Sequence, residues 1–410
     1  MRLLVLSQYF WPETFGVNQL VSALVRKQIH VTVLTGKPNY PDGQVFSGYR
    51  SCGIQHEEFA GAHVVRVPLV PRGNRSSFRL AMNYLSFIFS GYLLAPFVLR
   101  GKPFDAVFVY APSPILQALP AIFLAWLKRA PLVLWVQDLW PESLSATGYV
   151  RNRYVISAIR QLVRFIYSHS DLILVQSRAF EAPVAALAPA TPIVYYPNSV
   201  DEAFAAPATQ EAPYVSGLDA GFSVMFAGNI GTAQAIEVIV KAACLLKDYP
   251  DIHFVVIGEG SRWTWMKQEV QRRGLNNVHL PGRFPVELMP CLMQKASVLL
   301  VTLADQEIFK ATIPSKVQAY LAAGRPILAC LNGEGADLVT RSGAGLAVPA
   351  ENEHALAEAV LHLYRMSPEE RETIGALGRL YYSRNFSHEI LIDQLVGHLQ
   401  TVCGYQEESE

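Results

Sequence analysis

Short apolar runs punctuate the chain at nearly regular intervals, most of them closing on a glycine, serine or other turn former. Leu3–Leu6, Val31–Leu34, Val64–Val67, Ala106–Val109, Leu132–Val136 and Leu172–Val175 read as strands, and amphipathic stretches between several of them read as helices. Runs that are apolar at every position belong to strands covered on both faces, and their alternation with helices predicts βαβ units and a parallel sheet. The segment from Asp201 to Gly221 breaks the rhythm, with Pro207, Pro213 and several alanines among acidic residues, and reads as a linker. A second series follows, with strands expected at Ser223–Ala227, His253–Ile257, Val278–Leu280, Val298–Val301, Ile327–Ala329 and Leu346–Val348, and closing helices near 354–365 and 387–402. The predicted fold class is α/β, with two Rossmann-like doubly wound domains facing a central cleft, where such sheets bind ligands at strand carboxyl ends. The expected divisions are 1–200, 201–385 and a terminal helical segment 386–410.

Composition sharpens this. Of 410 residues, 51% are hydrophobic and 17% charged, which excludes a disordered chain and suits a buried parallel sheet or contact with a membrane. Net charge is zero, which argues against a nucleic-acid partner, but residues 1–200 carry +9 and the remainder −9. A basic first half suggests that this half meets an anionic surface. The five cysteines are scattered without a C-x-x-C spacing, the usage of a reduced, cytoplasmic protein without a zinc site. Met1 and Arg2 lead into only four apolar residues before Ser7, so no signal peptide is read.

Leu80–Leu99 is apolar enough to suggest a membrane span, but a span would put strands of one sheet on opposite sides of the bilayer. Asn83, Ser86, Ser90 and Pro96 also suit it poorly. The expectation is an interfacial segment with Arg72, Arg75, Arg79 and Arg100 on anionic headgroups; the alternative is a helical pair buried in the domain.

Several loops carry candidate chemistry. Trp11-Pro12-Glu13-Thr14-Phe15-Gly16-Val17-Asn18 joins the first strand to a helix start, where free N–H groups face an anion and Gly16 would admit a diphosphate, unless it merely eases a turn. Gly228-Asn229-Ile230-Gly231 repeats the device in the second series. Pro314-Ser315-Lys316 opens a helix with one cation in its first turn, a point-charge partner for phosphate, or else a solvated lysine on an ordinary capped helix. No G-x-x-x-x-G-K-[ST] phosphate loop occurs. Asp138 and Glu142 follow a strand in Gln137-Asp138-Leu139-Trp140-Pro141-Glu142, placed to hold sugar hydroxyls beside Trp140, although Asp138 could instead cap the next helix.

Together these motifs, with Thr35-Gly36-Lys37-Pro38-Asn39-Tyr40-Pro41 and Gly333-Glu334-Gly335-Ala336, resemble the retaining family 4 glycosyltransferases of GT-B architecture. Within that family they are most similar to the N-acetylfucosamine-type transferases of O-antigen and capsule assembly. The resemblance implies a UDP-sugar donor held by the second domain and an acceptor held by the first. It also implies no metal or cofactor, and a last helix returning to the first domain. Carried over, Gly16 and Asn18 join the donor site, Gly228, Asn229, Gly231, Pro314, Ser315 and Lys316 surround the phosphates, and Arg283 with Phe284 lies near the base. Asp138, Glu142 and Lys316 are the expected catalytic groups, and Glu13 with Arg72, Arg75, Arg79 and Arg100 faces acceptor and membrane.

There are departures. Two glutamates common in the family would fall at Ala311 and Ala319, and its Arg and Lys at Asn229 and Gln234; Glu334 is a candidate substitute for one glutamate. The expected activity is transfer of an N-acetylated amino sugar, with retention, to a polyprenyl-diphosphate-linked saccharide at the inner face of the cytoplasmic membrane. Competing expectations are a nucleotide-sugar 2-epimerase and a non-catalytic subunit of a glycan-assembly complex.

Overall fold

A computed structural model describes residues 1–73, 77–146, 152–200, 204 and 211–405. Two compact units divide the chain, one comprising Met1–Pro197 with Leu391–Glu410, the other Asn198–Ile390.

In the first unit, strands β1 (Arg2–Leu6), β2 (His30–Thr35), β3 (Gln55–Phe59), β4 (Ala62–Arg66), β5 (Ala106–Ala111), β6 (Leu132–Val136), β7 (Leu172–Val175) and β8 (Ile193–Tyr195) form one sheet. Their spatial order is β3-β4-β2-β1-β5-β6-β7-β8, parallel except where β3 pairs antiparallel with β4. The helices are α1 (Gly16–Arg26), α2 (Ser77–Leu93), α3 (Ala95–Val98), α4 (Ala118–Lys128), α5 (Glu142–Ala146), α6 (Arg153–Ser168) and α7 (Glu181–Leu187). β1, β5, β6 and β7 are buried along almost their whole length, as their continuous apolar runs require. The edge strand β3 reads Gln-His-Glu-Glu-Phe and none of its residues is fully buried, which is why hydrophobicity alone passes over it.

The second unit holds β9 (Phe222–Ala227), β10 (Ile252–Ile257), β11 (Val278–Gly282), β12 (Val298–Thr302), β13 (Ile327–Cys330) and β14 (Gly345–Val348) in the order β11-β10-β9-β12-β13-β14, all parallel. Its helices are α8 (Glu237–Leu245), α9 (Trp263–Arg273), α10 (Met289–Lys295), α11 (Glu307–Lys310), α12 (Ser315–Ala323), α13 (Glu334–Arg341), α14 (Glu353–Arg365) and α15 (Pro368–Asn385). Ser367 and Glu370 close a reciprocal capping box at the start of α15. The last helix, α16 (His388–Val402), sends Leu391, Ile392, Leu395 and Leu399 into the first unit's core beside Leu3, Val5 and Val17. The Tyr196 hydroxyl donates to the Leu391 carbonyl at 2.9 Å.

The apolar segment at 80–99 resolves into α2 and α3, and among the described residues no helix is long and apolar enough to cross a membrane. Its polar residues are fasteners: Asn83 is fully buried and donates to the Val70 carbonyl at 2.7 Å, Ser86 accepts from Val70 N–H, and Ser90 donates to the Pro68 carbonyl. The opposite face leaves Phe78, Met82, Leu85, Phe89 and Leu93 exposed at helical spacing, continued by Phe97 on α3 and Trp126 on α4. One face of the segment is therefore buried in the unit, and the other is apolar and exposed.

Candidate active site

In a parallel sheet every strand's carboxyl end opens on one edge, and loops there can converge on a ligand. In the second unit, the loops after β9, β10, β11 and β12 and the start of α12 line a cavity of about 820 Å³. Gly228, Asn229, Arg283, Phe284, Pro314, Ser315 and Lys316, all expected here, line it together with Gln234, Glu259, Thr302, Ala319 and Tyr320. Gly231 adjoins this lining without being part of it: a Cβ there would lie 2.7 Å from the Asn229 side chain, which is itself hydrogen-bonded to Gln234.

Lys316 is the electrostatic centre of this cavity. It stands in the first turn of α12, whose N-cap, Pro314, supplies no capping side chain, so the terminal N–H groups stay available to an anion. Its Nζ lies 3.7 Å from the Phe226 ring centroid, is shielded from solvent and has no hydrogen-bond partner. Burial, without a compensating carboxylate, lowers its pKa to about 7. Gly228 makes this geometry possible. With φ +131° it adopts a conformation that L side chains rarely enter, and a Cβ would meet Lys316 Cε at 2.6 Å. The sole carboxylate among the described lining residues is Glu259, which the Gly258-Glu259-Gly260 turn after β10 could have signalled. Ala319 lines the cavity, so the position where the resemblance expects a glutamate offers space instead. Glu334 begins α13 outside the described lining, with Oε2 buried and unpartnered.

The first unit gathers its candidates at the ends of β1, β2 and β6. Gly16 opens α1 with no positive φ, and a Cβ there would meet only the Tyr110 hydroxyl, at 3.7 Å. Neither backbone strain nor packing inside the unit therefore requires glycine. Asp138 is mostly buried beyond β6, and burial raises its carboxyl to about 6; it is close enough to Tyr110 to help keep that phenol protonated.

Three of the candidates are engaged within the unit. Glu13, expected on the acceptor and membrane side, is buried and accepts from the backbone N–H groups of Phe10, Asn39 and Tyr40, tying the loop after β1 to the loop after β2. Asn18, expected at the donor, spends both ends of its amide inside the loop, accepting from Trp11 N–H and donating to the Glu13 carbonyl. Glu142 does not converge with Asp138: Trp140 and Pro141 turn inward, and Glu142 emerges exposed at the head of α5, 3.3 Å from Arg160. Arg79 and Arg100 are exposed, Arg72 is half-buried, and Arg75 lies outside the described residues. Hydropathy also misses Arg66, fully buried and bonded to Glu57 and to the carbonyls of Gly36 and Trp11. Its Nη1 and Nη2 donors tie the same two loops together, while Nε meets Glu57 on β3.

Two family models match in tandem. "Glycosyl transferase 4-like domain" covers residues 15–199, from the start of α1 through β8, and "Glycosyl transferases group 1" covers 221–366, which holds all six strands of the second sheet. The chain is a family 4 glycosyltransferase of GT-B architecture. It is 27% identical over 333 residues to the probable glycosyltransferase WbjE of Pseudomonas aeruginosa, covering 79% of this chain and 81% of that one. It is 26% identical over 348 residues to WcaI of Escherichia coli K12, described as a putative colanic acid biosynthesis glycosyl transferase, covering 79% and 82%. Among solved structures, sucrose-phosphate synthase from Thermosynechococcus elongatus superposes with TM-score 0.72 at 16% identity, covering 99% of this glycosyltransferase and 100% of that chain. HepE of Anabaena, solved with UDP, gives 0.66 at 14% identity, covering 98% and 100%.

Proposed function

We propose that this glycosyltransferase moves a sugar from a UDP-sugar to a polyprenyl-diphosphate-linked saccharide in bacterial surface polysaccharide biosynthesis, retaining the anomeric configuration. The sugar we infer is an N-acetylated amino sugar such as N-acetylfucosamine. The observation that carries the reading is the buried, unpartnered Lys316 ammonium at a free helix N-terminus inside a cavity large enough for a nucleotide sugar. A dianionic phosphate supplies the counter-charge that this site lacks, and Lys316 with the glycine-loop N–H groups would hold it without a metal ion. Arg283 and Phe284 would flank the base, and Glu259 is the carboxylate available for ribose hydroxyls. The naming of WcaI for a polysaccharide and the UDP held by HepE support the pathway and the donor.

In this reading the leaving diphosphate gains charge as the glycosidic bond breaks, and Lys316 stabilises it where water is excluded. The leaving phosphate helps deprotonate the acceptor hydroxyl on the same face of the sugar. Asp138 orients the sugar, and Gly16 leaves room for the diphosphate. The exposed stripe from Phe78 to Phe97, flanked by Arg79, Arg100 and Lys102, would rest on the inner face of the cytoplasmic membrane.

Thermal unfolding with UDP, GDP and a panel of their sugar conjugates tests the donor. A ligand at 100 times its dissociation constant adds about 2.7 kcal/mol. The expected result is a clear shift with UDP, larger with one UDP-amino-sugar. No shift with any uridine nucleotide would overturn the assignment.

A further inference from the structure

Two neutral amides share the donor cavity with Lys316. Asn229 and Gln234 both line it, and Asn229 Nδ2 donates to Gln234 Oε1 at 3.1 Å. The surrounding backbone holds this pair in place. Gln234 ends a turn, Thr232–Gln234, that is clamped to the end of β12: Thr302 Oγ1 donates to the Gln234 carbonyl, and Ala304 N–H donates to the Ala233 carbonyl at 2.9 Å. Two glycines leave the room that the amides occupy. A Cβ at Gly231 would lie 2.7 Å from Asn229 Nδ2 and 2.9 Å from Gln234 Oε1, and one at Gly260 would lie 2.7 Å from Asn229 Oδ1. The shared hydrogen bond uses one donor and one acceptor, so Gln234 Nε2 and Asn229 Oδ1 keep no partner among the described residues. Exchanging oxygen and nitrogen in both amides leaves the same inventory, one free donor and one free acceptor. A phosphate oxygen can only accept, so it has nothing to give the free acceptor. An uncharged group that both accepts and donates matches the pair, and a secondary amide carries its C=O and N–H on opposite sides of one rigid plane.

We propose that Asn229 and Gln234 are the specificity-determining residues for an acetamido group on the donor sugar. Gln234 Nε2 donates to the acetyl carbonyl, and the acetamido N–H donates to Asn229 Oδ1. Leu303, next in the chain to Thr302, also lines the cavity and gives the acetyl methyl an apolar neighbour. This rests on the UDP-sugar reading above and adds what selects the sugar once Lys316 has taken the diphosphate. A sugar with a hydroxyl in place of the acetamido group leaves one end of the pair unmatched, at the cost of a desolvated polar group.

The full chain is titrated calorimetrically at pH 6.5 with UDP, UDP-glucose, UDP-N-acetylglucosamine and UDP-glucosamine, for the parent, Gln234→Met and Gln234→Glu. The parent should bind UDP-N-acetylglucosamine about 10-fold more tightly than UDP-glucose. Gln234→Met, near in length and apolar, should weaken UDP-N-acetylglucosamine about 3- to 10-fold, the size of a lost neutral hydrogen bond, with UDP and UDP-glucose changed less than twofold. Gln234→Glu keeps the acceptor that Asn229 uses and exchanges the free donor for a carboxylate oxygen. The preference should then swing towards UDP-glucosamine, whose ammonium stands where the acetamido group was. A parent that does not distinguish UDP-N-acetylglucosamine from UDP-glucose would overturn the assignment. So would a Gln234→Met variant that loses nothing, or that loses UDP and UDP-N-acetylglucosamine equally, and so would an unmoved preference in Gln234→Glu. Failure of the parent to bind UDP at all would instead remove the donor reading, so the two failures are told apart. The melting temperature of each sample reports folding.

Discussion

Replacing Lys316 with methionine should cost the enzyme its activity and make it more stable. The ammonium is shielded, unpartnered and lowered from 10.5 to about 7 by burial. Each pKa unit is worth about 1.36 kcal/mol, so holding this charge costs the fold up to about 5 kcal/mol. The folded value lies below the unfolded one, so the full cost applies below pH 7, where both states are protonated. It shrinks as pH rises from 7 towards 10.5, because the folded lysine sheds its proton first, and vanishes above that. The contact with the Phe226 ring returns about 1–2 kcal/mol, leaving a net cost of about 3 kcal/mol. Lys316→Met, similar in length and apolar, should therefore raise the melting temperature of the second unit by about 5–10 °C at pH 6.5. The gain should narrow by pH 9.5. In the same samples UDP should no longer stabilise the variant, and the transfer rate should fall by about 100-fold or more. A variant no more stable than the parent at pH 6.5, with a gap indifferent to pH, would refute the account of a charge held at a cost until the donor arrives. Retained stabilisation by UDP would remove Lys316 from the phosphate site.

Other consequences follow from the same geometry. Parent affinity for UDP should fall as pH rises above about 7, approaching tenfold per pH unit while the free lysine is neutral and the bound one charged, measured by calorimetry. Gly16→Ala should leave the melting curve within about 1 kcal/mol of the parent while lowering transfer, because an added Cβ would meet only the Tyr110 hydroxyl, at 3.7 Å; a destabilised but active variant would show that the glycine serves packing. Asp138→Asn should lower kcat/KM at pH 8 and remove the acidic limb near pH 6 that protonation of the raised carboxyl imposes on the parent. Phe89→Ser combined with Phe97→Ser removes two of the most exposed rings and should release the protein from anionic liposomes with its unfolding profile unchanged; unaltered co-sedimentation would sink the membrane assignment.

What could be read beforehand follows physical lines. Strands such as Leu132–Val136 declare themselves because burial on both faces leaves no polar position. The edge strand at 55–59 and Ile193–Tyr195, each with one side open, look like ordinary surface. The helix Pro368–Asn385 is polar enough to escape hydropathy, although Ser367-Pro368-Glu369-Glu370 spells its start. In the site, glycines and a lysine next to a helix start were legible because their chemistry is local to a few consecutive residues. Glu13, Asn18 and Glu142 were not, since residue type says nothing about direction. A buried carboxylate that gathers three N–H groups and an exposed one that meets Arg160 carry the same letter. Asn83 likewise argued against a membrane span, but its role as the bolt between α2 and Val70 needed coordinates.

The return of the final helix has a bearing on how this protein is made. Leu391, Ile392, Leu395 and Leu399 complete the core that Leu3 and Val5 begin. The opening half of the polypeptide therefore leaves the ribosome with part of its interior missing. About 190 further residues must be translated first, roughly 10–40 s at ordinary elongation speeds. The intervening unit has time to fold first, and a stop codon a few turns early would damage the end of the molecule that was synthesised first. Cutting the gene at the apparent domain boundary should yield an amino-terminal fragment that aggregates, and supplying the last helix as a separate peptide should rescue it.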